Sequence, residues 1–163
     1  MGYPSYPEHP THTVQRIYVA SSWRNPHQPE VVEALRSVGF GVYDFRHPRP
    51  DNEGFQWDEI DPTWQSWTPA AFRDALTDPI AERGYGYDFE GMQWADTCVL
   101  VLPSGRSAHI EAGWMAGTGR RLYILTLGEN EPELMYKLAT GICLTMDELL
   151  QTLAAVGASP CGS

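Results

Sequence analysis

Asp88 and Glu111 are the residues of this sequence whose type and placement best suit covalent chemistry. Glu111 follows an apolar, β-branched run, Thr97 to Leu102, and the break Pro103-Ser104-Gly105. That context predicts a carboxylate in the first turn of a helix leaving a central strand, where the helix dipole keeps it ionised. Asp88 lies 23 residues earlier, on the helix expected before the same strand. Two carboxylates at one pocket suit a nucleophile and an acid/base at a glycosidic carbon. Two expected strand ends also carry hydroxyls and a cation, Ser21-Ser22-Trp23-Arg24-Asn25 and Ser104-Gly105-Arg106-Ser107. Small residues and free backbone N–H groups at a helix start bind anions. Arg24 and Arg106 can add bidentate phosphate contacts. Plainer uses stand beside these: Glu111 as a simple helix-start charge, Asp88 as an exposed helix residue, and Ser107 as an N-cap.

Elements in alternation must position these groups. Ile17 to Ala20 reads as a buried strand ending at Ser21-Ser22. Pro29 to Val38 has Val31, Val32, Leu35 and Val38 at helical spacing, with Gly39 as its stop. Gly41 to Phe45 is a second strand. Thr68 caps a short helix with Pro69 at its first position, running through Leu76. Ile80 to Ala95 reads as helical mainly in its second half. Thr97 to Leu102 is the central strand, Ser107 to Ala116 a helix ended by Gly117 and Gly119, and Leu122 to Leu127 the next strand. Glu131 to Leu138 is expected as a short helix and Ile142 to Leu144 as a short strand. Thr145 and Glu148 form a capping box for a last helix to about Val156. The pattern predicts an α/β fold, a flavodoxin-like or Rossmann-like open parallel sheet sandwiched by helices. Gly117-x-Gly119 is no dinucleotide fingerprint, because it follows its helix.

Composition narrows the function. The 163 residues carry 11 Lys and Arg against 21 Asp and Glu, a formal net charge of −10. A nucleic-acid polymer needs a basic footprint that this chain lacks, whereas local donors can still hold a small phosphorylated ligand. Cys98 and Cys143 sit in apolar runs and read as reduced thiols, with Cys161 in a tail. No signal peptide, membrane span, zinc pairing or other metal-ligand spacing is evident, so the expectation is a cytoplasmic protein without metal or cofactor. His109 has no partner at metal spacing and reads as structural or as part of the pocket rim. Six Trp and eight Tyr are many for this length. Phe55, Trp57, Trp64 and Trp67 fall in one irregular stretch, residues 46–68, which packs as a loop or subunit contact, or else covers a base as a lid.

The blocks Ile17 to Arg24, Asp88 before Ala95-Asp96, and His109-Ile110-Glu111-Ala112-Gly113-Trp114-Met115-Ala116-Gly117 together resemble the nucleoside 2-deoxyribosyltransferase superfamily. That group includes nucleoside 5′-monophosphate N-glycosidases. Ser22-Trp23-Arg24 matches the Ser-x-Arg of its nucleotide hydrolases, and residues 109–117 match its catalytic Glu-x-Gly helix. The resemblance implies Glu111 as nucleophile, protonation of the leaving base by Asp88 or through water, and Tyr18 as the group orienting the nucleophile. Ser21, Ser22, Arg24, Ser104, Gly105, Arg106 and Ser107 would hold a 5′-phosphate. Trp23, Trp57, Trp114 and Met115 are the candidates for touching the base, with one of Trp114 and Met115 facing the pocket and the other the core or a subunit contact. It further implies a nucleotide or nucleoside substrate, hydrolysis or sugar transfer, and a homodimer or higher homo-oligomer. The segment 46–68 has no counterpart in the family and reads as an insertion into a single domain over residues 14–156. Residues 1–13 are expected as a flexible segment and 157–163 as a tail. Two other functions remain open: a Toll/interleukin-receptor-like hydrolase of NAD or a cyclic nucleotide, and a non-catalytic nucleotide-binding module.

Overall fold

The computed structural model describes residues 15–157. The expected segment 1–13 and all of the expected tail 157–163 but Gly157, with Cys161, lie outside them; Gly157 is the last residue of the final helix rather than part of a tail. Five parallel strands form one sheet in the order β2-β1-β3-β4-β5. They are β1 (Arg16–Ala20), β2 (Gly41–Asp44), β3 (Thr97–Leu102), β4 (Arg121–Thr126) and β5 (Gly141–Cys143). This is the flavodoxin-like order, and its direction of build-up reverses between β1 and β3. Every residue of β3 is buried, as a strand covered on both faces requires.

Helices α1 (Gln28–Ser37) and α5 (Met146–Gly157) cover one face, where Val31, Val32, Leu35, Leu149 and Leu153 pack on Ile17, Val19, Val99 and Leu125. Helices α3 (Pro79–Trp94) and α4 (Arg106–Gly117) cover the other, where Met92, Ala108, Ala112 and Met115 pack on Tyr18, Tyr43, Cys98 and Leu100. Gly39 follows α1 at φ +95°, the left-handed stop its position demanded. The short α2 (Pro69–Ala75) is capped by Thr68 Oγ1, which accepts from Ala71 N at 3.2 Å. Thr145 Oγ1 accepts from Glu148 N at 3.1 Å to open α5, while Glu148 reaches back to Leu144 N instead of Thr145 N.

Three local expectations are corrected. Helix α3 is continuous from Pro79, with Asp78 Oδ1 accepting from Ile80 N at 2.8 Å. Gly84 weakens the helical signal there, but its missing side chain is what admits the Phe55 ring, whose Cβ would stand 2.7 Å from an added methyl. Helix α4 starts one residue early, with Gly105 rather than Ser107 at the N-cap. Glu131 to Leu138 yields only a 3₁₀ turn, Leu134–Leu138, without a side-chain cap.

The 46–68 segment packs on itself and on α2 and α3. Two 3₁₀ turns, Trp57–Glu59 and Trp64–Ser66, bend it into an aromatic cluster. Trp57 meets Phe55, Trp67 and Phe72 edge-on, with ring centroids 4.8, 5.5 and 5.8 Å away. Trp67 Nε1 donates to Asp61 Oδ2 at 2.6 Å. Among the described residues, no helix is long and apolar enough to cross a membrane.

Candidate active site

The loops after β1 and β3 meet where the strand order reverses, the usual ligand crevice of such sheets. Asn25 ties them together. Its buried side-chain amide donates to Val101 O at 3.2 Å, Pro103 O at 3.1 Å and Ser21 Oγ at 3.1 Å, while its Oδ1 accepts from His27 N at 2.9 Å. Arg46, just beyond β2, holds the first loop from outside. Its Nη2 donates to the carbonyls of Ser22, Trp23 and Asn25 at 3.1, 3.0 and 2.9 Å, and its guanidinium lies over the Trp23 ring.

Asp88 and Glu111 both line two adjoining clefts. One, of about 620 Å³, carries Ser21, Ser22, Arg24, Gly105, Arg106 and Ser107. The other, of about 670 Å³, is walled by Phe55, Trp57, Leu76, Phe89, Met92 and Trp114. Arg24 and Arg106 form no salt bridge among the described residues, unlike Arg49, which pairs with Glu90. Arg24 and Arg106 make the first the polar cleft, whereas the second has no cation and is the aromatic one; Phe55 and Trp57 wall both, and Trp23, Phe45 and Trp64 also line the first.

Burial and like charge act on this pair. Glu111 is pushed up to about 7 by desolvation and then by the charge of Asp88. Asp88 is pushed up to about 6 by desolvation, against a hydrogen bond from Tyr43. The expectation that Glu111 sits in the first turn and stays ionised is therefore corrected. It is the sixth residue of α4, beyond the reach of the helix terminus, and burial governs it instead. Both carboxylates are thus raised toward neutral pH, and the charge of one disfavours the charge of the other.

Two tyrosines lie beneath the pair. Tyr18 and Tyr43 are fully buried and stack with centroids 5.1 Å apart and planes 7° from parallel. Tyr43 donates to Asp88 Oδ1 at 2.8 Å. The Tyr18 hydroxyl lies close enough to Glu111 to favour its charged form, yet it makes no hydrogen bond of good geometry among the described residues. Burial and the two nearby carboxylates hold the Tyr18 phenol well above the usual tyrosine range.

The other candidate residues divide. Ser22, Arg24, Gly105, Arg106 and Ser107 line the polar cleft together with Trp23 and Trp57, and Trp114 lines the aromatic one. Ser22 Oγ accepts from Arg24 N at 3.1 Å, which leaves its own proton to donate. Ser21 also lines the cleft, but its hydroxyl is spent on Val101 O at 2.9 Å. Ser104 is not among the residues lining either cleft; it stands 3.5 Å from His109 Nδ1. Met115 is fully buried against the sheet, so Trp114 is the member of that pair facing a cleft. Helical period carried this signal: Ala108, Ala112 and Met115 share the buried face, and residues 111 and 114 do not. His109 is structural, linking Gly105 O at 2.8 Å to the Tyr136 hydroxyl at 2.9 Å. No cluster able to hold a metal ion occurs among the described residues.

Tyr43, Asn25 and Arg46 were not singled out by sequence reasoning, because each acts through contacts distant along the chain. Gly91 in α3 makes the Tyr43 position possible, since a methyl there would lie 2.6 Å from Tyr43 Cδ2. A fully buried ring cannot withdraw. Gly91→Ala is expected to cost about 1–3 kcal/mol of stability in urea unfolding, and an unchanged midpoint would show that the seat is slack.

No protein-family model and no curated protein matches the sequence. Among solved structures, the 2-deoxyribosyltransferase of the psychrotolerant bacterium Bacillus psychrosaccharolyticus aligns over 82% of this chain and 88% of its own, with a TM-score of 0.56 and 18% identity. This chain shares the 2-deoxyribosyltransferase fold. The CMP N-glycosidase BcmB of Clostridium botulinum aligns over 86% of this chain and 99% of its own, with a TM-score of 0.46 and 17% identity. The α/β fold expected from strand–helix alternation is thus the fold observed.

Proposed function

We propose that the protein cleaves the N-glycosidic bond of a nucleoside 5′-monophosphate. One observation carries this reading: a half-buried carboxylate pair lines two adjoining clefts, one holding two arginines without salt-bridge partners among the described residues and both walled by aromatic rings. The arginines suit a phosphate and the rings a base, which would bring the sugar between them against the carboxylates. A shared fold with an enzyme described as a 2-deoxyribosyltransferase supports the same class of chemistry.

In the first step Glu111, ionised, attacks C1′ and forms a glycosyl ester. The bond from C1′ to the base nitrogen breaks with its electrons on the base, which takes the proton held by Asp88. The cationic character that develops at C1′ favours ionised Glu111 at that moment. In the second step Asp88 removes a proton from water as its oxygen attacks C1′. The ester bond breaks and Glu111 returns as a carboxylate, while in a transferase a second base takes the place of water. Each carboxylate thus needs the opposite protonation state from the other; because Glu111 is pushed up further than Asp88, the proton must pass from Glu111 to Asp88 as positive charge develops at C1′.

Incubation with a panel of nucleoside 5′-monophosphates and nucleosides, with free base scored by chromatography, tests the reading. Release of base from none of them would overturn it. Nicotinamide release from NAD alone would move the activity to NAD hydrolysis, and binding without turnover would make the site a binding module. Arg24→Ala and Arg106→Ala are each expected to raise KM for the monophosphate about tenfold or more, with little effect on the matching nucleoside. Equal losses on both substrates would take the phosphate out of the polar cleft.

A further inference from the structure

We propose that Tyr43 is the positioning residue of Asp88: from the end of β2 it grips one carboxylate oxygen and so leaves the other as the oxygen offered to the clefts. The inference rests on the reading that Asp88 moves the proton of the glycosidic step. The phenol donates to Oδ1 at 2.8 Å, and no hydrogen bond to Oδ2 forms within the described residues. The ring has little freedom. It is fully buried, stacked on Tyr18, and seated against Gly91. The donor is thereby fixed by the sheet and by α3, and the acceptor inherits that orientation.

The stack gives each carboxylate a phenol of its own. Tyr43 bonds Asp88, whereas Tyr18 stands near Glu111 without a formed bond. This asymmetry distinguishes two otherwise similar acids. A hydrogen bond to the charged form favours ionisation, so Tyr43 holds Asp88 below the value that burial alone would set. The groups facing Asp88 are Tyr18 from β1, Tyr43 from β2 and Glu111 from α4. Glu59 and Arg83, paired at 3.9 Å, share a small cavity with it, and Arg24 and Arg106 share the polar cleft. Among the described residues, only Tyr43 donates to it directly.

Tyr43→Phe keeps the ring, the stack and the seat and removes only the donor. In carboxyl-carbon NMR titrations of the full chain, the Asp88 midpoint is expected to rise by about one pH unit. For base release, kcat should fall about tenfold, with KM within about twofold and the alkaline limb of the pH–rate profile moved upward. A merely structural tyrosine would lower stability without moving the Asp88 titration. An unmoved midpoint overturns the proposal whatever the activity, as does an unchanged kcat in an enzyme that otherwise turns over. Failure of the wild type to release any base overturns the functional reading alone, and the midpoint still decides on the Tyr43–Asp88 link. Should the variant not fold, wild-type protein carrying 3-fluorotyrosine replaces it. Its more acidic phenol is a stronger donor, so the Asp88 midpoint should fall, and no change would equally overturn the assignment.

Discussion

Glu111→Gln is expected to abolish base release, with kcat lower by about 10⁴-fold or more, in a protein that still folds. The size follows from the role. An amide cannot form the glycosyl ester, and losing a nucleophile removes the covalent route entirely. Substitutions at the cleft walls, by contrast, only reduce binding. Three checks belong together. Chromatography measures released base, circular dichroism confirms the fold, and mass spectrometry of acid-quenched wild-type enzyme finds a sugar-phosphate adduct on the peptide containing Glu111. An active Gln variant, or an adduct on another residue, would remove Glu111 from the mechanism.

The same substitution should make the protein more stable at pH 8. Glu111 is pushed up to about 7 in the folded chain from an ordinary value of 4.5. The folded state therefore holds a proton that the unfolded state has already released between about pH 4.5 and 7. Stability falls as pH rises through that window, and above it the full penalty for a buried charge is present. By linkage this is about 3 kcal/mol at pH 8 and close to zero at pH 4. Glu111→Gln removes the penalty, so its urea midpoint should exceed that of the wild type at pH 8 and match it at pH 4. Asp88→Asn should act in the same direction. The double variant should gain less than the two effects added, because each carboxylate is part of the other's penalty. A Gln variant no more stable at pH 8 would mean that Glu111 is not held above its ordinary value. Loss of activity together with gain of stability is the usual mark of a strained functional group.

Much of this was legible before the structure. Val31, Val32 and Leu35 recur at helical spacing, and Thr68-Pro69 is a cap followed by a first-turn proline, so α1 and α2 follow from local chemistry. The run Thr97–Leu102 is apolar throughout because both its faces are covered. Asp88 and Glu111 were found through their neighbours along the chain. Their state was not, because the charge on Glu111 depends on burial between α3, β1 and α4, which no local spacing encodes. Ser107 looked like a cap because its type favours caps, but Gly105 takes that place in the actual turn. Tyr43 was passed over as one more strand residue, since its partner lies 45 positions away.

The grip of Arg46 on the first loop has a mechanical consequence. A single nitrogen, Nη2, draws in the carbonyls of Ser22, Trp23 and Asn25 while the guanidinium plane lies over the Trp23 ring, a stacking that a lysine ammonium would not reproduce. The same residue sits at the start of the aromatic segment that carries Phe55 and Trp57 over the clefts. Through one side chain the loop after β1 and the first residue of the aromatic segment are thereby fastened together, so a change at Arg46 would loosen two walls of the same cleft at once.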